Sequence, residues 1–218
     1  MSQSLPVVSI VDDDPSFLKA VSRLLHAAGY AVRTFSSAGE FLAQTTDTPG
    51  CLVADLHMPG LSGLDLQTAL AQDPQAPPVI FLTGQGDIAT TVRAMRQGAE
   101  DFLTKDAPKA ILLKAVERAL DRDARQRAER VRLQELRGRF DALTPREREV
   151  LQHVVLGRLN KQIASNLGVS ERMVKLHRTA ITTKVQVRSV AELTRLVQDA
   201  GLFEENTPTF PGGFQVRR

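Results

Sequence analysis

From residue 7 onward, short apolar runs alternate with amphipathic stretches. "PVVSIV" predicts a buried strand. Phe17, Leu18, Val21, Leu24, Leu25 and Ala28 then recur at helical spacing, and Gly29 ends that helix. The alternation continues with "AVRTF" as a strand, "SAGEFLAQ" as a short helix and "CLVAD" as the third strand. "LSGLDLQTALA" is helical, "PPVIFLT" is the fourth strand, and "DIATTVRAMRQGA" is a helix closed by Gly98. "DFLT" is the fifth strand, and "PKAILLKAVERAL" begins the next helix. Five such repeats predict an α/β fold, a five-stranded parallel (βα)5 doubly wound sheet with helices on both faces.

The pattern changes after residue 122. "DRDARQRAERVRLQELRGRFDAL" has no proline and is rich in helix formers, with Val131, Leu133, Leu136 and Phe140 as a partial apolar stripe. The last helix is therefore expected to run on to about Arg137; a flexible charged linker is the alternative. In "LTPREREVLQHVVLG", Thr144 is an N-cap, Pro145 the first helical residue and Glu147 the partner in a capping box. Val150, Leu151, Val154 and Val155 form its apolar face. "NKQIASNLG" is a short helix closed by Gly168, Ser170 caps a longer one, "ERMVKLHRTAITTKV", and a final helix starts at Val190. A short helix, a tight turn and a longer basic helix form a helix-turn-helix, so a small all-α domain follows the sheet. The expected division is 1–122 for the sheet domain, 123–142 for a helical linker, 143–205 for the helix-turn-helix domain, and 206–218 for a tail whose proline and glycine point to disorder.

Charge separates the halves. Residues 1–124 hold 10 Lys/Arg against 15 Asp/Glu, and residues 125–218 hold 18 against 10. An acidic front and a basic back suit different partners, nucleic acid for the second. The chain of 218 residues has no apolar run of membrane length and no signal-peptide pattern at its start. Its single Cys51 fits a reducing cytoplasm and is expected to be a small buried hydrophobe.

In a parallel sheet the working site lies at the carboxyl ends of the strands. Those ends carry Asp12, Asp13 and Asp14, then Asp55, Thr83 and Lys105. Unit charges about 4 Å apart repel by roughly 4 kcal/mol at an effective dielectric of 20. A hard divalent cation such as Mg²⁺ would relieve converging carboxylates. Asp14 precedes Pro15 and a helix, so its expected role is capping.

"VDDDP", "ADLHMPGLSGLDL", "FLTGQGD" and "DFLTK", in that order over residues 5–122, resemble the receiver domain of two-component response regulators. The resemblance implies Asp55 as phosphoacceptor from a sensor histidine kinase. It implies Mg²⁺ bound by Asp13 and Asp55, with Asp12 acting through water and the His57 carbonyl completing the set. Lys105 and Thr83 would engage the phosphoryl group, and Phe102 would be the switch aromatic. The His57 side chain is expected to be exposed; with Gln85 it occupies a position that tunes the lifetime of the phosphorylated state. The family usually has Lys-Pro where this chain has Lys105-Asp106, so a trans peptide and a redrawn loop are expected here.

"LTPREREVL", "NKQIASNLGVSERMVKLHR" and "VRSVAEL" resemble the LuxR/FixJ/NarL DNA-binding domain. On the recognition helix Val174, Ile181 and Val185 share one face, while Lys175, Thr179, Thr182 and Gln186 share another. The resemblance implies base contacts from Lys175, Leu176 and Thr179, and phosphate contacts from Lys161, Arg172, His177 and Arg178. It also implies pairing on DNA through Leu193, Leu196 and Val197, and receiver pairing through Val92, Met95 and Arg96. The expected function is a cytoplasmic, phosphorylation-dependent transcriptional regulator of the FixJ/NarL family, most like the FixJ group. It would be a homodimer when phosphorylated or on promoter DNA, with RNA polymerase as a further partner, no membrane role, and no enzymatic activity beyond its own phosphoryl transfer and dephosphorylation. The alternatives are a constitutive DNA binder with a degenerate receiver and an Asp-nucleophile phosphatase.

Overall fold

A computed structural model describes residues 6–44, 49–84 and 88–202; Gln85 and the 206–218 tail lie outside the described residues. The strands are β1 Val7–Val11, β2 Ala31–Phe35, β3 Gly50–Asp55, β4 Val79–Thr83 and β5 Asp101–Thr104. All pair in parallel, in the order β2-β1-β3-β4-β5. The helices that alternate with them are α1 Pro15–Ala27, α2 Ala38–Leu42, α3 Gly63–Leu70, α4 Ile88–Arg96 and α5 Lys109–Asp141.

Because side chains alternate along a strand, the sheet buries two separate cores. Val8, Ile10, Cys51, Val53, Ile80 and Leu82 point to one face and pack with Val21 and Leu25 of α1 and with Leu112, Ala115, Val116 and Ala119 of α5. Val11, Leu52, Ala54 and Phe81 point to the other, against Phe41 of α2, Leu66 and Leu70 of α3 and Ala94 of α4. Every residue of β3 and β4 is buried, which explains their continuous apolar spelling. Cys51 is buried as expected, and burial pushes its thiol up to about 12.

The chain divides into two compact units, Met1–Ala128 and Glu129–Arg218. The helix α5 is continuous through the expected linker and ends at Asp141, past Gly138. Asp123 on α5 is buried and accepts a hydrogen bond from Gly50 N at 2.8 Å and from Arg127 Nε at 2.9 Å. Residues just beyond 122 therefore still brace the sheet. Further along, Leu136 and Phe140 belong to the core of the second unit. Burying them outweighs the roughly 1 kcal/mol that an interior glycine costs a helix, so α5 does not stop at Arg137.

The second unit continues with α6 Pro145–Val155, α7 Asn160–Leu167, α8 Glu171–Val185 and α9 Val190–Asp199. The Thr144–Glu147 capping box is formed, Gly168 closes α7 at φ 65°, and Ser170 caps α8. Val150, Leu151, Val154, Val174, Ile181 and Val185 meet in one core. Gln186 departs from the expected stripe: it ends α8 in the left-handed region at φ 61°, which lets Val187 turn into the core. Two of the expected pairing residues of α9 also need correction. Leu193 and Val197 are 2% and 1% exposed and committed to the unit's own core, and Leu196 packs partly against it. Spacing marks an apolar stripe but does not say what covers it.

At the start of α3, Gly63 sits where a Cβ would lie 2.4 Å from the Asp55 carbonyl oxygen and 2.9 Å from the Phe81 ring. The helix can approach the end of β3 this closely only without a side chain. Gly63→Ala is expected to lower unfolding free energy by about 1–3 kcal/mol, the usual range for overpacking, as measured by urea denaturation.

Candidate functional site

Asp12, Asp55 and Thr83 sit at the carboxyl ends of β1, β3 and β4, and all three are buried. Asp13 beside them is exposed. One carboxylate oxygen from each of Asp12, Asp13 and Asp55 can be chosen so that all lie within 4.8 Å of one another. Asp14 takes the capping role: its carboxylate accepts from Ser16 N at 2.8 Å and Phe17 N at 3.3 Å. The acidic triplet thus divides into a helix cap and two members of a pocket.

Lys105 follows β5 and closes the pocket. Its Nζ lies 2.7 Å from Asp12 Oδ2 and 2.9 Å from Asp55 Oδ2. The backbone holds the lysine from behind, with Lys105 N donating to Thr83 O at 2.8 Å and Ala107 N to Thr104 O at 3.0 Å. Among the described residues no peptide is cis, so the lysine is brought to the pocket without a proline at 106. On Asp55, Oδ1 accepts from Leu56 N at 2.6 Å and His57 N at 3.4 Å. The exposed His57 ring places Nδ1 3.4 Å from Thr83 Oγ1. Phe102 is half-buried, its ring 6.1 Å from that of Phe81.

The electrostatics leave a deficit of positive charge. Burial raises the Asp12 carboxyl above its ordinary value; the Lys105 ammonium and the Asp14 N–H pull the other way but do not win. Burial works against the charge on Lys105 too, yet its hydrogen bonds and charge pairing with Asp12 and Asp55 leave it raised. Three carboxylates face one ammonium, and Asp12 Oδ2, although ion-paired, has no aligned hydrogen bond among the described residues. An oxygen-liganded divalent cation fits this donor set.

In the second unit, α8 buries Val174, Ile181 and Val185 and exposes Arg172, Lys175, Leu176 and Thr179. His177 and Arg178 are half-buried, and Arg178 donates to Asn160 Oδ1 at 3.0 Å, tying α8 to the start of α7. Lys161 is exposed in the first turn of α7. The Thr182 hydroxyl is turned back onto the helix, donating to Thr179 O at 2.9 Å. On α4, Val92, Met95 and Arg96 are exposed, as is Ile88, which extends their stripe at i, i+4, i+7 spacing although it is not among the expected pairing residues.

Glu147 does more than complete a cap. Its capping role is legible, but the structure buries it and adds Lys184 Nζ of α8 at 2.7 and 3.0 Å from its oxygens. Nothing local in the sequence signals a contact 37 residues away.

A carboxylate pocket with a lysine at the end of a parallel sheet, joined to a helix-turn-helix, defines a response regulator with a DNA-binding output. The comparisons agree. Residues 8–117 match the response regulator receiver domain, and residues 141–197 match the luxR family of bacterial regulatory proteins. Nodulation protein W of Bradyrhizobium diazoefficiens is 42% identical over 92% of this chain and 89% of its own length. The transcriptional regulatory protein FixJ of Azorhizobium caulinodans is 39% identical over 96% of this chain and its whole length. Among solved structures, the response regulator StyR is 43% identical with a TM-score of 0.76, over 89% of this chain and 99% of that one. The chain belongs to the FixJ/NarL family of response-regulator transcription factors. Among the described residues no helix is long and apolar enough to cross a membrane.

Lys184 holds the Glu147 carboxyl below its ordinary value of 4.5, against the opposing effect of burial; the hydrogen bonds from Thr144 also lower it. A depressed carboxyl stabilises the fold above its unfolded value, and that contribution is lost as pH falls through the folded value. Glu147→Gln is expected to cost about 1–2 kcal/mol at pH 7, on the scale of a lost cap and a charged hydrogen bond. In pH-dependent denaturation the gap from wild type should shrink as pH drops below 4.5.

Proposed function

We propose that this chain is a phosphorylation-controlled transcriptional regulator whose pocket at Asp55 receives a phosphoryl group from a phosphohistidine of a sensor kinase. The observation that carries the reading is the ammonium of Lys105 held 2.7 Å from Asp12 and 2.9 Å from Asp55 at the carboxyl end of the sheet. An Asp55 carboxylate oxygen forms a bond to phosphorus while the bond from phosphorus to the kinase imidazole nitrogen breaks. Lys105 neutralises charge on the transferred oxygens, and the Thr83 hydroxyl donates to one of them once it is in place. Mg²⁺ bound by Asp13 and Asp55, with Asp12 acting through water and the His57 carbonyl completing the set, would supply the remaining positive charge.

The switch needs the phosphorylated pocket to favour one arrangement of the neighbouring surface over another. Thr83 ends β4 and Phe102 lies in the neighbouring β5; in this reading a shift of the threonine is passed to the half-buried ring of Phe102 and on to the α4 surface of Val92, Met95 and Arg96. Pairing of two chains through that surface then brings two copies of α8 to the half-sites of a promoter. Lys175, Leu176 and Thr179 read base edges in the major groove, and Lys161, Arg172, His177 and Arg178 contact phosphates. RNA polymerase is the downstream partner, and the site of action is the cytoplasm.

Sedimentation velocity with Mg²⁺ tests the switch. Beryllofluoride, a phosphoryl mimic, is expected to convert the wild-type chain from monomer to dimer and to leave Asp55→Asn unchanged. An identical response of both proteins would remove Asp55 from the mechanism. On DNA selected from a random pool, Lys175→Ala is expected to lose about 1–3 kcal/mol on the preferred site and to relax its sequence preference. Arg172→Ala should weaken binding to all sequences and reduce the salt dependence by about one counterion.

A further inference from the structure

Lys105 has a third neighbour outside the carboxylate pocket. The ring of Phe17, in the first turn of α1, lies with its centroid 4.4 Å from Lys105 Nζ, within the range of a cation–π contact. Phe17 reaches that place because Asp14 caps α1 through the N–H groups of Ser16 and Phe17. The same acidic triplet that supplies Asp12 and Asp13 therefore also sets the ring. Beside the lysine runs a groove of about 440 Å³ lined by Phe17, Leu24, Leu82, Lys105 and Leu112. A four-carbon stem bordering open space would swing into it unless its charged end were held.

We infer that Phe17 is a positioning residue for Lys105, holding the ammonium at the pocket before and after phosphoryl transfer. Of the two carboxylate contacts, the one to Asp55 must be exchanged for a phosphoryl oxygen when the group arrives, which leaves Asp12 as the one carboxylate partner that persists. The contact to the ring does not involve the oxygen that is exchanged. It also fits a chain in which the lysine is followed by Asp106 on a trans peptide, where no proline at 106 stiffens the backbone that carries the lysine.

The inference rests on the phosphoacceptor reading above, and the test separates the two. Full-length protein with Mg²⁺ is given acetyl phosphate, and the phosphorylation rate is measured for wild type, Asp55→Asn, Phe17→Leu, Phe17→Tyr, Lys105→Ala and the Phe17→Leu/Lys105→Ala double variant. Phe17→Leu keeps apolar bulk but loses the ring, and should slow the reaction by about three- to tenfold. Phe17→Tyr should stay within about twofold of wild type, and Phe17→Leu should cause no further loss once Lys105 is gone. With labelled lysine, the Lys105 ε-methylene protons should show an upfield ring-current shift in wild type and Phe17→Tyr that disappears in Phe17→Leu. A rate unchanged by Phe17→Leu, or reduced by the same factor with and without Lys105, would reduce Phe17 to a packing residue and overturn the inference. Absence of the ring-current shift in wild type would overturn it whatever the rates. If wild type and Asp55→Asn took up phosphate equally, the phosphoacceptor reading itself would fall, while the shift would still report on the ring contact.

Discussion

The receiver unit depends on the concentration of negative charge at the carboxyl end of its sheet. Two carboxylates, Asp12 and Asp55, are almost wholly withdrawn from water, and Asp13 stands beside them. Buried charge of one sign is tolerated only where opposite charge and hydrogen bonds are supplied. Lys105 supplies the charge, and the N–H groups of Asp14, Leu56 and His57 supply bonds to the carboxylate oxygens. What remains is a pocket with a deficit of positive charge, suited to an oxygen-liganded cation.

That arrangement dictates details of packing further out. The approach of α3 to the end of β3 leaves no room for a side chain at Gly63, so the backbone after Asp55 is fixed by contact with its own next helix. Gly50 at the other end of β3 is equally confined, a Cβ there falling 1.9 Å from the Val7 carbonyl oxygen. Its N–H is received by the buried Asp123 of α5. The central strand is thus pinned at both ends, and α5 is fastened to the sheet beyond the point where its apolar pattern fades.

The helix-turn-helix unit is small and relies on polar ties as well as its core. Glu147 completes the Thr144 capping box of α6 and receives Lys184 from α8, and Arg178 joins α8 to Asn160 at the start of α7. These contacts fix the pitch of α8, whose outer face carries Lys175, Leu176 and Thr179. The left-handed turn at Gln186 then ends the helix and brings Val187 inward. Such a turn strains a residue with a Cβ, and burial of the following valine offsets it.

The order of the elements, the two-faced sheet, the capping of α1, α6 and α8 and the positions of Asp12, Asp13, Asp55, Thr83 and Lys105 were all legible in the chain. They follow from local rules: strand alternation, helical period, cap chemistry and the tendency of sites to gather at strand ends. Other features required the third dimension. Leu193 and Val197 have the spacing of an exposed pairing stripe, yet they lie in the core because α9 folds back onto its own unit. Gly138 and a weak apolar stripe gave no reason for α5 to reach Asp141, but Phe140 finds its burial in the second core. Phe17 reads as one more apolar position of α1, and only the approach of β5 to β4 and of α1 to the sheet end places its ring under Lys105. Periodicity tells which residues share a face, because it is a property of the backbone; what that face meets depends on contacts between residues far apart in the chain, and those form only on folding.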